Sequence, residues 1–182
     1  MRHLIDFGDL SRAEWDGLYQ RCSEIMDHPA DFLDACRGKV MASLFYEPST
    51  RTNFSFQTAM LRVGGTVFGF ADPKSTSTAK GETLKDTIKM VSGYADVVVM
   101  RNPKEGAAKA ASLYSDVPVI NAGDGGHMHP TQTTADLTTI TRLRGKVDGL
   151  SVGLCGDLKN GRTVHSLIKA LAKFEGIKFF LI

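Results

Sequence analysis

Between Phe45 and Thr52 the chain reads Phe-Tyr-Glu-Pro-Ser-Thr-Arg-Thr, which puts three hydroxyls and a guanidinium on four consecutive positions, Ser49, Thr50, Arg51 and Thr52. A short apolar run precedes the string and a helical pattern follows it, so it lies where a buried strand hands over to a helix. The first turn of a helix offers unpaired backbone N–H groups and the positive end of the dipole. Hydroxyls and a guanidinium added at that point make a cradle for a phosphate. The plainer reading is an N-cap at Ser49 or Thr50 with a solvated Arg51. His127 and His129 form a His-x-His pair, but a metal needs a third ligand and no Cys or Asp spacing supplies one, so no metal is expected. Gly153 and Gly156 lack the Gly-x-Gly-x-x-Gly spacing, so no nucleotide cofactor is expected.

The elements that would position such a cradle can be read from texture. Ser11 to Glu14 is a capping box, and Trp15, Leu18, Tyr19, Cys22, Ile25 and Met26 recur at helical spacing, which predicts an amphipathic first helix. From Lys39 onward short apolar runs appear: 40–46, 66–71, 95–100, 117–121 and 150–155. Helical patterns lie between them, at 50–63, 82–94, 105–114, 131–143 and 161–174, several stopped by glycine. Strand and helix alternate with short connections, which predicts right-handed crossovers and a doubly wound parallel sheet of the α/β class. Ligands of such sheets sit beyond the C-terminal ends of the strands. Two segments break the rhythm: a polar Ser/Thr-rich loop, Asp72 to Gly81, and the flexible, His-bearing stretch Gly123 to Pro130.

With 182 residues the chain has room for one domain and part of another. The boundary is expected near Gly145 to Gly149, giving a first domain over 1–147 and the start of a second α/β domain over 148–182. The last run, Ile177 to Ile182, ends with the chain, and one βαβ unit is too small to hold a core alone, so truncation is expected. A net charge of +2 gives no field for nucleic acid or membrane, so an anion site must be local. Three scattered cysteines, no leader and no long apolar run point to a soluble, reducing, cytoplasmic setting.

Glu47-Pro48-Ser49-Thr50-Arg51-Thr52 at the end of a first strand resembles the carbamoyl-phosphate signature of the aspartate and ornithine transcarbamoylases. The resemblance continues in order through Ser55-Phe56, Lys80-Gly81-Glu82-Thr83-Leu84, Val99-Met100-Arg101, Asn121-Ala122-Gly123-Asp124-Gly125, His129-Pro130-Thr131-Gln132-Thr133 and Gly156 to Ser166. The His-Pro-Thr-Gln string, the Pro at 48 and the long loop with Lys80 are similar to the aspartate branch; ornithine enzymes typically carry Cys at the Thr131 position. Asn53 stands where many relatives have Arg, and Asn160 where an aromatic is common.

The resemblance implies attack of the L-aspartate amino group on carbamoyl phosphate with loss of phosphate, an early step of pyrimidine synthesis. It gives Ser49, Thr50, Arg51, Thr52 and Arg101 to the phosphate, Thr52, Arg101 and His129 to the carbamoyl oxygen, and Gln132 to the carbamoyl amide. Arg162 and Lys80 fall to aspartate, Glu47 to a carboxylate bridging two domains, and Ser77 to the loop that carries Lys80. That loop would reach a neighbouring subunit of a homotrimer, and some relatives also carry a regulatory chain. As ordinary alternatives, Gln132 is a first-turn polar residue and Lys80 a solvated lysine. Other readings are an ornithine-type enzyme and a fragment that binds the ligand or oligomerises without turnover. Aspartate turnover by these residues alone is expected to be negligible.

Overall fold

Val40–Phe45 (β1), Thr66–Phe70 (β2), Val97–Asn102 (β3) and Val119–Asp124 (β4) form a single parallel sheet in the order β2-β1-β3-β4 in the computed structural model, which describes residues 1–182. Alternation along the strands explains why both faces are covered. Ala42, Leu44, Val98, Met100 and Val119 face one layer, where they pack with Ile88, Val91, Ala108 and Ala111. Met41, Phe45, Val99 and Ala122 face the other, with Met60. The first layer is built by Leu84–Ser92 (α3) and Ala107–Tyr114 (α4). The second is built by Thr50–Arg62 (α2) on β1 and β2, with Pro130–Arg144 (α5) beside β4.

The remaining elements make a second, smaller assembly. Ser151–Leu154 (β5) and Lys178–Leu181 (β6) pair in parallel around Arg162–Leu171 (α6). This unit does not keep a core to itself. Ala170, Leu171 and Phe174 share one buried cluster with Phe7, with Trp15 of Arg12–Asp27 (α1), with Leu137 of α5 and with Val147. The Arg12 guanidinium reinforces the joint: Nη1 and Nη2 donate to the two Asp148 oxygens at 3.1 Å each, and its carbon lies 4.2 Å from the centre of the Phe174 ring. The sheets are separate on either side of Val147, while this one cluster spans it, drawing on α1, α5 and α6.

Several expected boundaries shift for local reasons. The Ser11 capping box forms as read, with Ser11 Oγ accepting from Glu14 N and Glu14 Oε2 accepting from Ser11 N. The helix expected from 82 begins at Leu84 because Thr83 Oγ1 caps it by accepting from Asp86 N. The helix expected from 105 begins at Ala107 because Gly106 has φ 75° and turns the chain. β4 runs on to Asp124, beyond the expected end at Asn121. The loop 72–81 is not a floppy connection: two 3-10 turns, Pro73–Ser75 and Ser77–Lys80, are capped by Asp72 and Thr76.

Candidate active site

Beyond the C-terminal ends of β1 and β3 lies a cleft of about 610 Å³ with no hydrophobic residue in its lining. The start of α2 contributes Ser49, Thr50, Arg51 and Thr52, the end of β3 contributes Arg101, the start of α5 contributes His129 and Gln132, and the start of α6 contributes Arg162 and Thr163. The sheet explains half of this gathering, since β1 and β3 are neighbours and Phe45 pairs with Arg101 in register. The string at 45–52 and Arg101 therefore leave the sheet side by side.

The three helix starts share a feature that decides what the cleft can hold. Ser49 and His129 occupy the N-cap positions of α2 and α5 without making a side-chain cap hydrogen bond, and Gly161, at that position of α6, has no side chain to make one. By contrast Ser11 and Thr83 do cap α1 and α3. The capping role suggested for Ser49 by its position is thus not taken up. The starts of three helices line one space, and unpaired first-turn amides with positive dipole ends favour an anion there.

Side-chain charge points the same way. Arg51, Arg101 and Arg162 line the cleft and no carboxylate does. Glu47 offsets part of this from the edge, with Oε1 2.6 Å from Arg101 Nε and 3.5 Å from Arg162 Nη1. It therefore joins an arginine of the four-stranded unit to one of the two-stranded unit. Burial, then the like charge of Arg162, hold the Arg101 pKa below the ordinary arginine value, while Glu47 works in the opposite direction. His129 is 8 % exposed, and burial, then Arg162 and Arg101, push its pKa down to about 4. It is a neutral imidazole at pH 7 and can donate a hydrogen bond without adding charge. Gln132 Nε2 donates to Asp136 Oδ1 at 2.9 Å, which leaves its Oε1 as an acceptor with no partner in the chain.

Gly123 and Gly125, at the end of β4 and just beyond it, were given no role in the sequence reading. Gly123 has φ 116°, and a Cβ there would stand 3.3 Å from Arg162 Cζ and 3.5 Å from Arg101 Nη1. The backbone angle favours glycine, and an added Cβ would press on the Arg162 guanidinium. Arg162 Nη1 donates to Gly125 O at 2.7 Å, and His129 N donates to Ser166 Oγ at 3.0 Å. Pro48, read from sequence only as a mark of the aspartate branch, and Thr163, given no role, also line the cleft; the position of Thr163 directly after Arg162 was the available signal.

Lys80 and Ser77 are not brought to this cleft by their own chain. They line a separate hollow of about 650 Å³ under the 72–82 loop, against Phe68, Phe70 and Met90, and it shares no lining residue with the arginine cleft. His127 does not join His129 on a common ion: its Nδ1 lies 3.3 Å from Asp124 Oδ2. No group of three or more His, Cys, Asp or Glu side chains is placed to hold a metal. No helix is long and apolar enough to cross a membrane.

Residues 2–142 match the profile of the aspartate/ornithine carbamoyltransferase carbamoyl-P binding domain. The chain belongs to the aspartate/ornithine carbamoyltransferase family. Among its carbamoyltransferase relatives, the aspartate carbamoyltransferase catalytic subunit of Clostridium perfringens is 57% identical over 181 residues, covering 100% of this chain and 59% of that one. A Clostridium botulinum counterpart is 56% identical with the same coverage. The catalytic subunit of M. jannaschii aspartate transcarbamoylase superposes with a TM-score of 0.92 at 50% identity, covering 100% of this chain and 60% of that one. Aspartate transcarbamoylase from Trypanosoma cruzi, solved with carbamoyl phosphate and aspartate, gives 0.93 at 41% identity, covering 100% and 61%. The chain spans about three-fifths of the length of the carbamoyltransferases it matches.

Proposed function

We propose that this chain provides the phosphate-binding and carbamoyl-activating part of an aspartate carbamoyltransferase, which moves the carbamoyl group of carbamoyl phosphate to the amino group of L-aspartate. The observation that carries the reading is the meeting of three uncapped helix starts and three guanidiniums around one neutral, buried histidine. A dianionic phosphate would lie among Ser49, Thr50, Arg51, Thr52 and Arg101, where the arginine forks suit its oxygens. The carbamoyl oxygen gains negative charge as the amine attacks, and Thr52, Arg101 and His129 are the donors in reach of that charge; losing one such donor costs about 3 to 4 kcal/mol of barrier. His129 suits the task because a neutral imidazole donates without repelling Arg101. The free Oε1 of Gln132 would accept from the carbamoyl NH₂.

Arg162 is the cation left for a carboxylate of aspartate. A dicarboxylate needs two, and Lys80 lies elsewhere in its own chain, so we assign Lys80 and Ser77 to the cleft of a neighbouring subunit in a homotrimer. Residues 1–147 are then a carbamoyl-phosphate domain and 148–182 the beginning of an aspartate domain, with Glu47 linking the two. A cytoplasmic setting and pyrimidine synthesis follow from the same reading. The ligand pair is carried over from the Trypanosoma cruzi relative.

Calorimetry with carbamoyl phosphate or a phosphonate mimic tests the cradle. Binding without added metal is expected in the wild-type chain and its loss in Arg51→Ala, because helix-start amides alone leave a dianion undercompensated. Unchanged affinity in Arg51→Ala would sink the assignment.

A further inference from the structure

Asp124 closes β4 and is 1 % exposed, yet it touches none of the groups that line the cleft. Its carboxylate is saturated. Oδ1 accepts from Asn121 Nδ2 at 3.0 Å and from Met128 N at 3.1 Å. Oδ2 accepts from Gly106 N at 2.9 Å and lies 3.3 Å from His127 Nδ1. The backbone closes the same loop a second time, with Asp124 N donating to Met128 O at 3.2 Å and His127 N to Asp124 O at 3.1 Å. Residues 124–128 thus form a reversal wound around one buried carboxylate, and the next residue is His129.

The segment fastened this way also holds both inner arginines. Arg162 donates to Gly125 O, Arg101 Nη1 lies 3.5 Å from Ala122 O, and Gly123 lies against both guanidiniums. Asn121 extends the fastening inward: Nδ2 also donates to Ile5 O, and Oδ1 accepts from Gly123 N at 2.9 Å. We infer that Asp124 is a positioning residue, whose carboxylate fixes the Ala122–His129 segment and thereby aims His129, Arg101 and Arg162 into the cleft. The inference rests on the proposed function for what the cleft binds, but not for the arrangement it describes. A carboxylate is required because three N–H donors converge on its two oxygens, with the His127 ring beside them. An amide would present its own NH₂ to Gly106 N–H or to Met128 N–H and leave a buried donor without an acceptor.

The test is Asp124→Asn in the 182-residue chain, with Asp116→Asn, an exposed carboxylate paired with Lys89, as the control for loss of one negative charge. Two readouts are taken, the NMR titration of the His129 ring and the affinity for inorganic phosphate by calorimetry. The titration distinguishes positioning from charge by its sign. Removing a negative charge near His129 from an otherwise fixed loop lowers the pKa of the imidazole. Releasing the loop exposes the ring, removes the burial that is the largest cause of its depression, and raises the pKa toward 6.5. We expect a rise of a unit or more, with phosphate affinity down about tenfold or more, and no change in Asp116→Asn. A folded Asp124→Asn protein whose His129 titrates as in the wild type or lower overturns the inference. If Asp124→Asn does not fold, Asn121→Ser, which removes one donor to Asp124 and the tie to Gly123, must raise the His129 pKa; an unchanged titration there overturns it equally. Should the wild-type chain fail to bind phosphate, the proposed function falls, and the titration alone decides on Asp124.

Discussion

A buried imidazole beside two arginines should resist protonation, and the size of that resistance follows from the geometry. His129 is held at about pKa 4 by burial and by Arg162 and Arg101, against about 6.5 in an unfolded chain. The difference of about 2.5 units is worth about 3 kcal/mol at 1.36 kcal/mol per unit. The folded pKa is depressed, so the contribution is complete above pH 6.5, where both states are neutral. It declines as pH falls from 6.5 to 4, where the unfolded chain takes up a proton that the folded chain refuses. Urea unfolding of the wild type and of His129→Gln at pH 7 and pH 4 isolates this one group, because the other titrations cancel in the difference. Relative to the variant, the wild type should lose up to about 3 kcal/mol across that range. The ring resonance missing from His129→Gln gives the pKa directly. Adding phosphate should move that pKa upward by neutralising the arginines. A His129 that titrates near 6.5 in the free protein would refute both the burial and the charge arguments for the cleft.

Gly123→Ala should cost about 1 to 3 kcal/mol of stability in thermal unfolding from its positive φ, and should also weaken phosphate binding in calorimetry because the new methyl meets Arg162. Trp15→Ala should destabilise by about 3 to 5 kcal/mol. Because the cluster is shared, hydrogen exchange in that variant should quicken in α5 and α6 together and not in α1 alone. In chains carrying the full length of the relatives, Lys80→Ala and His129→Ala, each nearly inactive alone, should regain partial activity when dissociated and reassembled together. Failure of such mixtures, while wild type treated the same way recovers, would remove Lys80 from a neighbour's cleft.

The alternation of strand and helix was legible because both faces of the sheet are buried, which makes its strands short apolar runs that contrast with the patterned helices. The cradle was legible as a string, but its two readings separated only in three dimensions, when Ser49 proved to make no cap bond. What the string could not reveal is convergence. Arg51, Arg101, His129 and Arg162 are far apart in sequence, and they meet because the strand order brings β1 beside β3 and because α6 packs back beside α5. The turns inside the 72–81 loop were missed although their signal was present, since Asp72 ahead of Pro73 is a cap followed by a first-turn proline. Asp124 was visible in a motif but gave no sign of burial; an aspartate between glycines ordinarily marks an exposed turn.

The shared cluster around Trp15 bears on the order in which the chain can fold as it is synthesised. Arg12 and Asp148 are 136 residues apart, and Phe7 and Trp15 close on Leu171 and Phe174. At about 5 to 20 residues per second, the first helix leaves the ribosome roughly ten seconds before its partners exist. In that interval Trp15 has local partners such as Phe7 and Tyr19, but the α5 and α6 side of its apolar face stays open to solvent or a chaperone. The four-stranded sheet can assemble meanwhile, since β1 to β4 are complete by Asp124. The first helix to be made is then among the last to dock, and a tryptophan fluorescence change that follows sheet formation during synchronised cell-free translation would record that delay.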